Sequence, residues 1–269
     1  MNKYFIPILI FLSLLLPNII APENNSILNT THVLFEWEQV PDAVSYNITW
    51  VNGNNPEMLL GQENTESLIY INTEIFIWNN AYVWYVQPVF LDGSVGSYIT
   101  NSEGIDHLNY FNIGSPRSSA SSIGTYNGDD ITLFASFLDN YSAAIDKNGY
   151  EIWNTSNNNL VFYNTDYYGQ LFGAQYDDNL LHNLPVVEFD INSNIIWEEP
   201  NEYFSHHEMI QLPNGNYMSI VEDIRQGPIP SNLPNNLSLL FQFIGYNADG
   251  VTNEFPWVGD RIVEWDQNG

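Results

Sequence analysis

Two adjacent histidines, His206 and His207, are the side chains of this sequence best suited to chemistry. The chain has five histidines in all, and this pair is followed by Glu208 and by a Pro-Asn-Gly-Asn run at 213–216. A neutral imidazole is a competent nucleophile near neutral pH, and its protonated form can give a proton to a leaving group. The pair is therefore the candidate catalytic site.

The segment around the pair is predicted to be a β-strand that ends at the 213–216 turn. Alternation places positions 206, 208 and 210 on one face and positions 207, 209 and 211 on the other. One histidine can then face a given site, and we favour His206, six residues before Leu212. A histidine hydrogen-bonded between sheets is the structural alternative. A metal site is not expected, because His206 and Glu208 supply two ligands where a site needs at least three.

Two arginines follow the histidines along the chain. Arg225 is a weak candidate for binding an anionic substrate, but Glu222 and Asp223 adjoin it, which favours a surface ion pair. Arg261 is interpreted as a structural residue at a sheet edge.

The charge of the chain limits its partners. Asp and Glu number 32 against 5 Lys and Arg, which gives a net charge of −27. Nucleic acids and anionic membrane surfaces need a basic patch, so neither is an expected partner. The absence of cysteine excludes disulfides, thiolate metal sites and cysteine nucleophiles.

The N-terminus is predicted to be an export signal, residues 1–21. Lys3 precedes an apolar run of twelve residues at 5–16, which is shorter than the roughly 20 residues of a membrane span. We expect the protein to reach the periplasm or the outside of the cell, with an uncleaved anchor as the lesser alternative. No further membrane contact is expected.

The rest of the chain is predicted to be all-β, because no segment shows sustained helical periodicity. Residues 22–108 resemble a fibronectin type III-like β-sandwich, with Trp37 near its second strand and residues 80–89 as a later strand. Alternation there places Trp84 and Val86 on one face and Tyr85 and Gln87 on the other, as a sheet buried on one side requires. A structural spacer is the expected role of this module.

A repeat follows in the second half of the chain. Asp146 and Trp153 recur as Asp190 and Trp197, in both cases 44 residues later, and a third copy begins at 265–269. A period of roughly 40 to 50 residues with a hairpin turn in each unit is typical of a β-propeller blade. We interpret each Asp-x-Asn-Gly-like stretch as a β-turn rather than a calcium loop, and we expect both tryptophans to pack between blades.

The repeat assigns residues 112–269 to the first blades of an incomplete β-propeller. Asp190 and Asp266 are 76 residues apart, so about 32 residues are inserted, and the segment 227–259 is the expected place for them. Two blades and the start of a third leave open sheet edges. The chain is therefore expected to be the N-terminal part of a longer protein.

Four segments, ASFLDNYSAAIDKNGYEIW, VVEFDINSNIIWEEP, HHEMIQLPNGNYMSIVED and GDRIVEWDQNG, together resemble the bacterial arylsulfate sulfotransferases from about Ile113 onward. His-His-Glu followed by Leu-Pro-Asn-Gly-Asn is the most specific part. The resemblance implies an exported six-bladed β-propeller without a cofactor. It would move a sulfuryl group from an aryl sulfate to a phenolic acceptor through a sulfated histidine, without a nucleotide donor.

The resemblance covers part of the family's histidine and arginine set. Only His206 and His207 match it, so the nucleophilic histidine is expected beyond residue 269 and this piece is expected to be inactive alone. An oligomer is compatible with the resemblance. The alternative function is a non-catalytic secreted sandwich and propeller module for adhesion or carbohydrate binding. A third, weaker alternative is another propeller enzyme, such as a lyase or a quinone-dependent dehydrogenase.

Overall fold

A computed structural model of the chain describes residues 17–100, 107–118, 128, 130–176, 184–200 and 205–268. It divides into two compact units, Met1–Pro116 and Arg117–Gly269. The chain is all-β, as the sequence predicts. Most of the predicted export signal lies outside the described residues. No helix within the described ranges is both long and apolar enough to cross a bilayer.

The first unit is a sandwich of two sheets. Its strands are β1 (Ile19–Ala21), β2 (Ser26–Leu28), β3 (Val33–Trp37), β4 (Ala43–Asn52), β5 (Asn55–Thr65), β6 (Ile69–Asn72), β7 (Ala81–Phe90) and β8 (Asn109–Ile113). One sheet has the order β1-β3-β6 and the other β2-β8-β7-β4-β5. Neighbouring strands are antiparallel except β2 and β8, which are parallel.

The core of the sandwich lies between the two sheets. Along β7, Trp84 and Val86 are fully buried, whereas Tyr85 and Gln87 are partly exposed, as the alternation predicts. Phe35 from the opposite sheet packs edge-on against Trp84, with 4.8 Å between ring centroids. Aromatic pairs of this geometry add stability beyond the apolar area that they bury.

The first unit extends past both ends of the segment that the sequence assigns to it. At its end, β8 pairs with β7 and β2, so the unit continues beyond residue 108 to Pro116. At its beginning, Ile19 is buried and pairs with Trp37. Residues 19–21, assigned from sequence to the export signal, therefore form part of a sheet.

The second unit contains three antiparallel sheets in its described residues. Its strands are β9 (Thr132–Ser136), β10 (Tyr141–Ile145), β11 (Glu151–Asn154), β12 (Leu160–Thr165), β13 (Leu171–Gln175), β14 (Val186–Phe189), β15 (Ile195–Glu198), β16 (Ser205–Gln211), β17 (Tyr217–Pro228) and β18 (Asn253–Trp265). The sheets have the orders β11-β10-β9, β12-β13-β14-β15 and β16-β17-β18, called here the first, second and third sheets. Within each sheet, strands that are consecutive in sequence pair with each other.

A single turn geometry joins several of these strands. At Asp146, Asp166 and Asp190 the side chain accepts hydrogen bonds of 2.8 to 2.9 Å from the backbone N–H groups two and four positions later. The fourth residue of each turn is left-handed, including Gly149 at φ 82° and Ser193 at φ 66°. These are hairpin turns, as predicted, in which the carboxylate satisfies backbone donors.

Tryptophans join successive sheets. Trp153 in the first sheet donates a 2.6 Å hydrogen bond from its indole Nε1 to the backbone carbonyl of Ile191, in the turn between β14 and β15. Trp197 in the second sheet stacks on Tyr217 in the third, with 4.0 Å between ring centroids and 17° between ring planes. Both tryptophans pack between sheets, as predicted. The three described sheets do not form a closed ring.

A long hairpin leaves the third sheet. β17 and β18 pair from Tyr217 and Trp265 out to Pro228 and Asn253, whereas β16 pairs with β17 only as far as Val221. We call residues 222–260 the arm and residues 229–252 its tip. The tip contains a short 3-10 helix, Pro234–Asn236, and the helix α1, Leu237–Phe243. The arm occupies the place where the sequence predicts the inserted residues.

Candidate functional site

The backbone of the histidine pair lies in β16, the first strand of the third sheet. The strand ends at the predicted hairpin, where the Leu212 N–H donates a 2.7 Å hydrogen bond to the Asn216 carbonyl and Gly215 is left-handed at φ 84°. The side chains of His206 and His207 lie outside the described atoms. Which of the two faces a binding site therefore stays a prediction.

The strand is irregular at the histidines. Ser205 pairs with Val221 and Met209 pairs with Ser219. Four steps along β16 therefore correspond to two steps along β17, and two residues of β16 are additional. Bulges of this kind re-aim side chains and are common next to binding and catalytic sites.

Side chains of neighbouring strands hold the bulged segment. The Ser219 hydroxyl donates a 2.5 Å hydrogen bond to the Glu208 carbonyl, and the Asn164 amide of the second sheet donates a 3.0 Å hydrogen bond to the Met209 carbonyl. Ser219 is buried. These donors satisfy backbone acceptors in the irregular part of the ladder, where an unpaired buried carbonyl would be costly.

Glu199 and Ser205 are joined where the chain enters β16. Glu199 follows β15 and is 2% exposed, and the Ser205 hydroxyl donates a hydrogen bond to its carboxylate. The Glu199 N–H also donates a 3.0 Å hydrogen bond to the Val186 carbonyl. Ser205 is buried and directly precedes His206. The pair therefore anchors the beginning of the histidine strand to the second sheet.

Burial raises the pKa of the Glu199 carboxyl from an ordinary 4.5 to about 7, although its hydrogen bonds with Ser205 favour the ionised form. Burial, followed by the charge of Glu199, raises the pKa of the Tyr163 hydroxyl to about 12. Glu199 thus changes protonation in the neutral range, a property that is concentrated at functional sites and also occurs at structural carboxyls.

The described residues of β16 follow the predicted alternation. Met209 is buried against the second sheet, whereas Glu208 and Ile210 are exposed on the opposite face. On that face they line a shallow groove of about 200 Å³ with Ile220 and Ile262 of the neighbouring strands. Ligand pockets usually measure about 300 to 1,000 Å³, so this groove by itself is small for an aryl substrate.

The two arginines of the third sheet differ in position. Arg225 is exposed and forms an ion pair with Asp223, with 2.6 Å between Nε and Oδ2. Arg225 lies in the arm, four residues along β17 from Val221, which is about 13 Å along a strand. Val221 pairs with Ser205 at the beginning of the histidine strand. Arg261 in β18 pairs with Val221. The structure therefore places Arg261, rather than Arg225, at the level where the histidine strand begins.

Two further carboxylates are buried in the second unit. Glu188 accepts hydrogen bonds of 2.7 Å from the Gln170 amide and 2.5 Å from the Tyr217 hydroxyl. Glu151 accepts hydrogen bonds of 2.9 Å from the Arg117 N–H and 2.6 Å from the Asn154 amide. Both carboxylates are thus satisfied by donors within the second unit, which indicates structural roles.

These two acids and Glu199 are not among the site residues predicted from the sequence. An acid within the apolar run Val-Val-Glu-Phe signals Glu188, and the Trp-Glu-Glu-Pro segment signals Glu199. Within the described ranges, no three His, Asp or Glu residues form a group that could hold a metal ion.

The first unit has a separate shallow pocket of about 310 Å³. None of its lining residues is charged, and most of them are apolar. The lining residues are Pro17, Val40, Pro88, Phe90, Ser97, Tyr98, Ile99 and Thr100.

Comparisons with known proteins add little. No protein-family model matches the chain, and no curated protein does. Among solved structures, the chain is similar to a fibronectin III-like protein from Clostridium thermocellum, with 16% identity and a TM-score of 0.26 over 38% of this chain and 96% of the other. A TM-score of this size does not assign a fold.

Proposed function

We propose that this chain carries the first histidine-bearing part of an exported arylsulfate sulfotransferase. In this proposal the first unit is a fibronectin type III-like sandwich and the three sheets of the second unit are successive blades of a β-propeller. The repeated Asp turns and the tryptophans between sheets support the blade interpretation. The histidine pair lies on the first strand of the third blade.

The reaction transfers a sulfuryl group in two steps. A histidine nitrogen attacks sulfur, the sulfur–oxygen bond to the first phenol breaks, and the leaving phenolate takes a proton; the hydroxyl of a second phenol then attacks sulfur, losing its proton, and frees the histidine. His206 or His207 acts as the donor that steadies the three sulfuryl oxygens or protonates the phenolate. Arg261 is the third-sheet cation at the level of Ser205.

The bulge at the histidines is the observation that carries this proposal. A histidine with a purely structural role needs no interruption of the β16–β17 ladder, whereas two additional residues re-aim the backbone at this point. The Glu199–Ser205 hydrogen bond and the Ser219 and Asn164 donors hold that irregular backbone in place. A catalytic group needs such support to keep its orientation.

The test measures sulfuryl transfer from para-nitrophenyl sulfate to phenol, with the protein expressed from its whole gene. Release of nitrophenolate should fall about a hundredfold or more in one of the two variants His206→Ala and His207→Ala, as for loss of an acid–base group. Leu138→Ala, at a 95% exposed residue in the turn between β9 and β10, is the control and should keep its rate. If both histidine variants transferred the sulfuryl group at the wild-type rate, the proposal would be wrong.

The apolar tip of the arm favours a second candidate function, a non-catalytic module that binds another molecule. Such a module would carry the histidines as structural residues. The same assay separates the two functions, since a binding module releases no nitrophenolate whatever residues occupy positions 206 and 207.

A further inference from the structure

The buried position of Glu199 follows from the strand before it. Trp197 is buried, Glu198 is exposed and Glu199 is buried again, so alternation places the Glu199 carboxyl on the same side as the tryptophan. Pro200 comes next, and a residue that precedes proline is confined to extended backbone. The carboxyl is therefore held inside the protein by the strand direction and by the proline.

Ser205 is the residue through which this carboxyl reaches the histidine strand. Its hydroxyl donates a hydrogen bond to the Glu199 carboxylate, and Ser205 is fully buried. It pairs with Val221 of β17, and the next paired residue along β16 is four positions later. The two additional residues of the bulge lie within positions 206–208. Ser205 is thus the last regularly paired residue before the histidines.

Three side chains hold the bulged segment, and they differ in their response to pH. Asn164 and Ser219 donate to backbone carbonyls of the segment, and neither side chain titrates near neutral pH. Glu199 holds the other end, and its carboxyl can gain or lose a proton. The ionised form accepts hydrogen bonds with both oxygens, and charge-assisted bonds are roughly twice as strong as neutral ones. The protonation state of Glu199 therefore decides how firmly Ser205 is held.

The surroundings of Glu199 set the range in which it titrates. Burial is the largest influence and raises the pKa of its carboxyl to about 7, and the charge of Glu198 raises it further in the same direction. Tyr163 of β12 lies close enough for the Glu199 charge to act on it; burial and that charge raise the pKa of Tyr163 to about 12, so the tyrosine stays neutral. The two histidines that follow Ser205 titrate in the same range as Glu199.

We propose that Glu199 is a positioning residue whose ionised carboxylate holds Ser205, and through it the backbone of the histidine pair, in the geometry that sulfuryl transfer needs. This proposal rests on the sulfotransferase function proposed above. Glu199 acts through the backbone and touches neither substrate nor the reacting atoms. When the carboxyl is protonated, Ser205 is held less firmly, the histidine after it loses its orientation, and transfer slows.

The experiment compares the wild type with Glu199→Gln, each expressed from the whole gene. Initial rates of sulfuryl transfer from para-nitrophenyl sulfate to phenol are measured at about pH 5.5 and about pH 8.5, below and above the range in which the carboxyl titrates. Glutamine resembles the neutral acid at both pH values. The two proteins should therefore have similar rates at the lower pH, and the wild type should be about fivefold or more faster at the higher pH. Because both proteins keep the histidines, the ratio of their rates cancels the imidazole titration.

Two further variants make the result specific. Glu151→Gln makes the same replacement at a buried carboxyl of the first sheet, and its rate relative to the wild type should be the same at both pH values. Ser205→Ala should lower the rate at the higher pH, and adding Glu199→Gln to it should have little further effect, since the two residues act as a unit. Circular dichroism checks that each variant is folded.

A second measurement does not depend on catalysis. Labelling with [15N]histidine gives one backbone amide signal for each histidine, and the signals of His206 and His207 are assigned by their loss in the alanine variants. In the wild type these two signals should shift with pH near 7, and Glu199→Gln should reduce that shift.

The outcomes separate this proposal from the function on which it rests. An active wild type whose rate ratio to Glu199→Gln is the same at both pH values would overturn the positioning role and leave the sulfotransferase function standing. A wild type that transfers no sulfuryl group at either pH would overturn the function. The amide signals would then decide whether Glu199 controls the histidine strand, and equal shifts in wild type and variant would overturn that as well.

Discussion

The indole of Trp153 and the backbone carbonyl of Ile191 are joined by a 2.6 Å hydrogen bond across 38 positions of sequence. The bond links the last strand of the first sheet to the turn that closes β14 and β15 of the second. Trp153 is 6% exposed whereas Ile191 is 60% exposed, so the indole donor is shielded from water and its acceptor lies near the surface. One side chain thus fixes the spacing of two successive sheets.

Trp153→Phe should destabilise the second unit by about 0.5 to 1.5 kcal/mol, because the indole hydrogen bond to the Ile191 carbonyl is lost while most of the aromatic contact is kept. Urea unfolding followed by circular dichroism measures the change. Trp78→Phe makes the same replacement in the first unit. It is the control and should leave the stability of the second unit unchanged. An unfolding free energy equal to that of the wild type would show that the hydrogen bond contributes nothing.

Ser193→Gly should stabilise the protein by up to about 1 kcal/mol, because a left-handed residue is released from steric strain. Ser193 has φ 66°, and its buried hydroxyl has no hydrogen-bond partner among the described atoms. The equivalent turn has Gly149 at φ 82°, so Gly149→Ser is the reciprocal variant and should destabilise. Thermal unfolding of both variants measures the pair of effects, and equal signs would contradict this account of the turns.

Glu199 should make the folded state less stable as the pH rises from about 4.5 to about 7. In this window the folded protein holds a proton that the unfolded chain has already lost, so each rise in pH favours unfolding, and the effect levels off above the folded pKa. With about 1.4 kcal/mol for each pKa unit, the difference is on the order of 3 kcal/mol.

Glu199→Gln isolates this effect from the titration of the other carboxylates. The amide oxygen can still accept the Ser205 hydrogen bond, but the side chain does not titrate. Urea unfolding of wild type and variant at pH values of about 5 and about 8 gives the comparison. We expect the pH-dependent loss of stability to be smaller in the variant; the same loss in both proteins would rule out Glu199 as its source.

Arg225→Gln should change the free energy of unfolding by less than about 0.5 kcal/mol, since its ion pair with Asp223 is exposed to solvent. Arg117→Gln is the matched comparison and should cost more. Its guanidinium donates to the Ser156 and Asp139 carbonyls and lies 4.5 Å from the centroid of the Tyr141 ring. Urea unfolding of both variants would contradict this prediction if Arg225→Gln were the more damaging one.

The repeat in the sequence identifies features whose cause is local. Asp146 and Asp190 form hairpin turns because an Asp side chain reaches backbone donors two and four residues away, wherever the turn lies. Trp153 and Trp197 are buried between sheets because a strand residue of that size needs a facing surface. Both predictions require only the conformational preferences of nearby residues and the 44-residue period of the repeat.

Features that depend on residues far away in the sequence could not be predicted in this way. The bulge in β16 is defined by its register with β17, and the burial of Glu199 depends on strands that precede it in the chain. Helix α1 is seven residues long and mostly apolar, too short to show a helical period. Strand β8 is recognised only by the sheet that it joins.

β17 runs with an uninterrupted register from Tyr217 to Gly227 against β18, and its first five residues also border the histidine strand. One backbone therefore connects the catalytic candidate to the far end of the arm. Two-stranded ribbons are more strongly twisted than wider sheets. A molecule that binds the outer end of the arm would therefore contact the same two-stranded ribbon whose inner end borders the histidine strand.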